Sequence, residues 1–223
     1  MSTLSKDFRN YLETVICIIT IDKGETKILL MRKKTKPYKG YWVLPGGYVK
    51  NDETIEDTII DAIYEQTGLL NIYVEQCYTF SNINRNPEKR IIATSFLGLV
   101  DSKSTEIMRE EREDYETAWF NIDNIPKTGY DHDVIIEKCI GVLRKKIVNS
   151  NVLKNLFPSD FTLPELQKVF EQILGVELDR RNFRRKFTSS DLIEDTNEKT
   201  IGSNGRPAEL YRFKDEIKDK NLF

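Results

Sequence analysis

Four carboxylates, Glu53, Asp57, Asp61 and Glu65, recur at steps of four, and a glycine pair, Gly46 and Gly47, stands just before them. On a helix this spacing puts the row on one face. Acidic groups at i, i+3 and i+4 can hold a divalent cation of the magnesium type. The residues interleaved with the row argue against a tight site. Ala62 offers no ligand and Gln66 only a neutral amide oxygen, so Glu65 is left as one anion where metal-assisted hydrolysis usually needs two or three. No dedicated metal site and no required cofactor are expected. The row reads as a solvated acidic face, each like-charged step costing roughly 0.2–0.5 kcal/mol. Weak Mg²⁺ binding at Glu53, Asp57, Asp61 and Glu65 is the alternative.

The second concentration of charge is basic. Residues 180–186 contain five Lys or Arg and no acid, although residues 151–223 as a whole carry 13 basic and 13 acidic side chains. Phe183 and Phe187 lie one helical turn apart. Packed inward, they turn Arg181, Arg184, Arg185 and Thr188 outward, with Arg180 at the helix start. Phosphate and base-edge contacts in a major groove need that segregation; a solvated face on a domain with no DNA partner is the competing reading. Ahead of this helix, Thr162-Leu163-Pro164-Glu165 has the form of a capping box. It opens a helix with Leu163, Leu166, Val169, Phe170, Ile173 and Leu174 as its apolar set and Gly175 as its stop. Behind it, strand-like runs at 192–196 and 208–213 flank a loop, residues 197–207, that contains Lys199, Gly202, Gly205 and Arg206. Helix, tight turn, basic helix and hairpin make a winged helix-turn-helix.

The first half must position the carboxylate row. Residues 12–21 and 27–33 are rich in Ile, Val and Leu and are joined by Asp22-Lys23-Gly24-Glu25, a hairpin signal. A helix is predicted over 53–67, capped by Asn51 or Asp52, with Ile55, Ile59, Ala62 and Ile63 on its core face and Gly68 ending it. Strands are predicted near 71–80, 90–100 and 116–122, and a helix over 132–149 with Asp131 as its N-cap. The one histidine, His132, reads as a helix-start residue hydrogen-bonded locally or to a neighbouring subunit, with an effector contact as the alternative. Residues 149–151 read as a linker and 157–161 as a second break, dividing the chain into 1–149 and 150–223. Cys17, Cys77 and Cys139, odd in number and far apart, read as reduced core thiols. No apolar run approaches the roughly 18 residues of a membrane span and no apolar signal segment opens the chain, so a cytoplasmic protein with no membrane partner is expected.

The stretch from Gly47 to Leu69 resembles the Nudix box, G-x5-E-x7-R-E-U-x-E-E-x-G-U with U aliphatic. Six of its nine defined positions are present, Gly47, Glu53, Ile63, Glu65, Gly68 and Leu69, while Asp61, Ala62 and Gln66 replace an Arg and two Glu. Upstream, Pro37-Tyr38-Lys39-Gly40-Tyr41-Trp42 running into Leu44-Pro45-Gly46-Gly47 is similar to a segment of Nudix proteins acting on ADP-ribose-like ligands. The resemblance implies an α/β/α sandwich of the Nudix fold over residues 10–148, followed by the small winged helix-turn-helix domain. The pairing of the halves resembles Nudix-related transcriptional regulators of the NrtR type and the related arabinose-responsive regulators. It implies a first domain that senses an ADP-ribose-like nucleotide or a sugar without catalysis, the degenerate positions being Glu53, Asp61, Ala62, Glu65 and Gln66. It also implies a homodimer on double-stranded DNA at a palindromic operator. Candidate effector residues are Arg32, Tyr38, Trp42, Gly46, Gly47, Arg85 and Arg90; candidate DNA residues are Arg180, Arg181, Arg184, Arg185, Thr188, Lys199 and Arg206. The alternatives are an active Nudix hydrolase of ADP-ribose or a related nucleoside diphosphate derivative, drawing a general base from the acidic loop 109–114, and a non-enzymatic interaction protein.

Overall fold

The computed structural model describes residues 10–101, 115–157, 159–200 and 207–215. The loop 109–114 and Arg206 lie outside these.

Two long apolar strands build the first half. β1 (Tyr11–Asp22) and β2 (Glu25–Lys33) form a hairpin whose turn residues, Lys23 and Gly24, have φ of 52° and 73°. Both central residues in the left-handed region is the geometry that two-residue hairpins prefer. β3 (Trp42–Val43) pairs with β2, and β4 (Gly46–Tyr48) with the first part of β1. β5 (Tyr73–Phe80) is antiparallel to β6 (Ile91–Leu99), β6 runs parallel to β1, and β7 (Tyr115–Asn121) lies along β2. Thr14 to Thr20 of β1 are all buried because both sheet faces are covered. Ile16 and Ile18 meet α1 (Ile55–Thr67) on one side; Val15, Cys17 and Ile19 meet α2 (His132–Ile147) on the other. This is the expected α/β/α sandwich.

The cap of α1 departs from expectation. Thr54, not Asn51 or Asp52, is the N-cap: its hydroxyl accepts from Asp57 N, and the Asp57 carboxylate accepts from Thr54 N. Gly68 at φ 70° ends the helix as predicted. Asp131 precedes α2 but makes no side-chain cap bond. The cysteines, distant in sequence, converge on the α2 side of the sheet. The neighbouring Cys139 thiol, and burial, push the Cys77 pKa up, and the Cys17 thiol raises that of Cys139 in turn.

The segment read as a linker is no exposed spacer. Ser150 and Asn151 are buried, and Val152, Leu153 and Leu156, on and beside a 3-10 turn (Val152–Asn155), join the apolar cluster that runs from α2 into the second half. There α3 (Leu163–Leu174) has the predicted Thr162–Glu165 capping box and Gly175 stop, and α4 (Arg180–Thr188) is capped by Asp179. β8 (Ile193–Lys199) and β9 (Glu209–Phe213) form the wing hairpin, and Phe161 bridges to Tyr211 through two backbone hydrogen bonds.

Candidate nucleic-acid interface and effector cleft

At the degenerate box the side chains serve the fold. Gln66 clasps one peptide unit: its Nε2 donates to Gly46 O at 2.7 Å and its Oε1 accepts from Gly46 N at 3.0 Å. Gly46 itself must be glycine, since a Cβ there would lie 2.1 Å from Thr14 O across the β1–β4 pair. Gly47 faces Ala62, buried on α1. Glu53 pairs with Lys50 at 2.6 Å and accepts from the Thr58 hydroxyl, which holds its pKa low. The Asp57 carboxylate is engaged by Thr54, and that too lowers its pKa. Among the described residues no cluster of three His, Cys, Asp or Glu could hold a metal. For a magnesium ion of the family's kind, Ala62 and Gln66 supply no anion, and Glu53 and Asp57 are turned to protein partners.

The candidate effector residues are spread over several surroundings. Arg32 is exposed, donating from Nε to Gly40 O at 3.3 Å and facing Glu116 at 3.7 Å. Trp42 packs edge-on against Phe120, ring centroids 4.6 Å apart. Arg85, a candidate effector residue from the sequence, is buried; it grips both oxygens of Asp131 at 2.8 and 3.0 Å and Glu13 at 2.9 Å. Asp131 is drawn to this guanidinium instead of capping α2. Burial raises the Glu13 pKa against the pull of Arg85. Arg90 staples a turn, donating to Ser81 O and Asn82 O. His132, also buried, accepts from Leu44 N at 2.8 Å through Nδ1, and burial with the nearby Arg85 charge pushes its pKa down to about 3.

Of that set, Tyr38 opens onto a cleft. A cleft of about 680 Å³ runs along α2 beneath the loops that precede β3 and α2. Its rim is aromatic: Tyr38 lies 4.6 Å from Tyr130 and 5.6 Å from Tyr41, centroid to centroid, and Lys127 Nζ sits 5.3 Å from the Tyr41 ring. Tyr41, Lys127 and Tyr130 were not singled out from sequence. Tyr41 belongs to the same Pro37–Trp42 run as Tyr38, and so could have been.

The basic helix has the predicted polarity. Phe183 and Phe187 are buried against Phe170, while Arg180, Arg181, Arg184, Arg185 and Thr188 are exposed, as is Lys199 on the wing. Arg184 is paired with Glu209 of β9 at 2.6 Å, which lowers the Glu209 pKa and ties the helix to the wing. The Arg185 guanidinium donates to Asn182 Oδ1, and the Thr188 hydroxyl is directed back to Arg184 O. Arg181 projects from the exposed face.

Residues 10–139 match the family model of the NUDIX domain, and residues 153–213 match that of the NrtR DNA-binding winged helix domain. The ADPR responsive transcriptional repressor NtrR of Acinetobacter baylyi is 31% identical over 212 residues, 93% of this chain and 84% of that protein. The crystal structure of Shewanella oneidensis NrtR complexed with a 27mer DNA superposes with a TM-score of 0.77 at 29% identity, covering 91% of this chain and 93% of that one. Over the first half, the ADP-ribose pyrophosphatase of Methanocaldococcus jannaschii is 32% identical across 132 residues, 59% of this chain and 76% of that enzyme. A Nudix fold joined to a DNA-binding winged helix defines the class, the Nudix-type transcriptional regulators. Within it, the chain belongs to the NrtR family.

Proposed function

We propose that the chain is a transcriptional regulator in which residues 1–149 sense an ADP-ribose-like nucleotide and residues 150–223 bind double-stranded DNA. The observation that carries this reading is α4, with arginines exposed over a buried Phe183–Phe187 pair and a wing docked beside it. Such a helix presents cations to phosphates and forks to guanine edges, the two contact types a major groove offers. That its relatives include an ADPR responsive repressor and an ADP-ribose pyrophosphatase favours a nucleotide over a sugar as effector. A single nine-residue helix reads only a short half-site. Two copies on a palindrome, half-sites about 34–36 Å apart, supply the rest of the specificity, so we infer a homodimer.

The test starts from duplexes selected by the protein from a random pool. Their binding is followed by fluorescence anisotropy between about 50 and 200 mM salt, with and without ADP-ribose. Expected are a preferred two-fold sequence, a linear fall of log affinity with log salt, and an affinity changed by ADP-ribose. Failure to enrich any duplex would remove the DNA-binding reading. Turnover of ADP-ribose with Mg²⁺ near or above ~1 per second, an ordinary enzymatic rate, would replace it with the hydrolase reading.

A further inference from the structure

We propose that Glu209 is a specificity-determining residue of the DNA interface: held by Tyr211, it fixes the guanidinium of Arg184 for a guanine edge and withholds that cation from phosphates. The proposal rests on the DNA-binding reading above and gives the wing a role within it.

α4 carries no acid of its own, and β9 brings one against its arginine face. Side chains alternate along a strand, so Glu209 shares a face with Tyr211 and Phe213, both buried. Arg212 lies on the other face, paired with Asp160 at 2.7 Å. Glu209 Oε2 accepts twice, from Arg184 Nη2 at 2.6 Å and from the Tyr211 hydroxyl at 3.0 Å. Tyr211 is pinned in turn to Phe161 by backbone hydrogen bonds in both directions, at 2.8 and 2.9 Å. The carboxylate is thus oriented from the core outward, and the carboxylate orients the arginine.

Attraction to DNA does not explain this arrangement. A carboxylate beside a phosphate backbone repels it, and an ion pair open to solvent contributes little to folding; the two side chains are 58% and 44% exposed. What the pair supplies is geometry. A guanidinium holds its N–H donors in a fixed plane, and a carboxylate on one of them leaves others set for the O6 and N7 acceptors of guanine. An untethered arginine swings to a phosphate instead, on any sequence. Lys199, opposite Glu209 in the hairpin and exposed, remains for backbone contact. Glu209 thereby lowers the affinity for DNA in general and raises the discrimination between sequences.

The test compares the selected operator with a scrambled duplex, by anisotropy between about 50 and 200 mM salt, for the full chain and its variants, with melting curves to check the fold. Glu209→Gln removes the charge and keeps an oxygen for the Tyr211 hydroxyl. It is expected to bind the scrambled duplex more tightly and to steepen its salt slope by about 0.9, the weight of one added phosphate contact. The ratio of operator to scrambled affinity is expected to fall by about 5- to 150-fold, the discrimination of one bidentate arginine–guanine pair. Tyr211→Phe, which keeps the charge and loosens its anchor, is expected to lower the ratio with the slope unchanged. Asp160→Asn changes the net charge equally but releases Arg212 on the other face, and is expected to alter neither quantity. In an Arg184→Ala background, Glu209→Gln is expected to lose its effect on the ratio. Equal falls in both affinities at an unchanged slope would mean a structural role only and overturn the proposal. An effect that persists without Arg184 overturns it as well, since Glu209 would then be a direct base contact and not a positioning residue. An unmodified chain that enriches no duplex removes the DNA-binding reading itself, and this proposal with it.

Discussion

Gln66 stands where the box pattern has a metal-binding Glu, and its amide does what a carboxylate cannot: it donates to Gly46 O and accepts from Gly46 N at once. Gln66→Glu is therefore expected to damage the clasp, because a carboxylate oxygen would face the Gly46 carbonyl. A loss of about 1–3 kcal/mol in urea unfolding is expected, the usual cost of leaving a buried polar group without its partner, with no gain in ADP-ribose turnover. A stable variant that acquires Mg²⁺-dependent turnover would contradict this role. His132 makes a comparable substitution of structure for chemistry. Its folded pKa, about 3, lies below the ordinary 6.5, so the unfolded chain takes up the proton first and stability falls as pH drops from about 6.5 toward 3. Compared with His132→Gln, which cannot titrate, the unmodified chain should lose stability more steeply between pH 6.5 and 4, by up to ~1.4 kcal/mol per pH unit for one proton. Parallel melting profiles would show that His132 is not the buried neutral acceptor of Leu44 N.

Elements with strong local signals were legible in the sequence. β1 and β2 carry dense aliphatic runs around a Lys23-Gly24 turn, α3 announces itself by Thr162, Glu165 and Gly175, and the Phe183–Phe187 spacing fixes which face of α4 is basic. What escaped depends on partners far along the chain. β3 and β4, two and three residues long, have no periodicity of their own and exist because β2 and β1 accept them. Thr54 displaced Asn51 and Asp52 as the cap because Asp57 completes the reciprocal pair from inside the helix. The polar run 149–151 resembles a linker, yet the apolar Val152, Leu153 and Leu156 that follow draw it inward. At the site the same rule holds: Arg85 and Asp131 meet across 46 residues, and the aromatic rim joins residues from two loops. The division of labour in α4 gives a prediction at this scale. Arg181→Ala or Arg185→Ala should cost about 1–3 kcal/mol of DNA affinity in a sequence-dependent way if the contact is to a base, or weaken all DNA alike and flatten the salt slope if it is to phosphate. Phe183→Ala should instead lower stability by roughly 3–5 kcal/mol through a core cavity. Intact DNA binding in a folded double variant, Arg181→Ala with Arg185→Ala, would remove α4 from the interface.

Across the whole molecule, the two halves share one apolar cluster and are also joined by polar contacts. Arg144 on α2 holds Ile173 O, and Gln172 on α3 accepts at 2.9 Å from both the backbone N–H and the hydroxyl of Thr26, beside the first hairpin turn. A ligand in the first half alters DNA affinity only to the extent that it binds the DNA-competent and incompetent arrangements differently, and these contacts are where the arrangements can differ. Gln172 touches neither the cleft nor the arginine face of α4. Gln172→Ala is accordingly expected to leave the affinity for ADP-ribose alone and for DNA alone within about twofold, while shrinking the factor by which one ligand changes the other. Couplings of this kind typically amount to about 5–150-fold, so a fall toward unity is measurable by anisotropy of a labelled operator with and without saturating ADP-ribose. Reciprocity supplies an internal control, since the same factor must appear when ADP-ribose is titrated with and without operator. A variant that retains the full factor in both directions would place the coupling elsewhere, the Arg144 contact being the next to test.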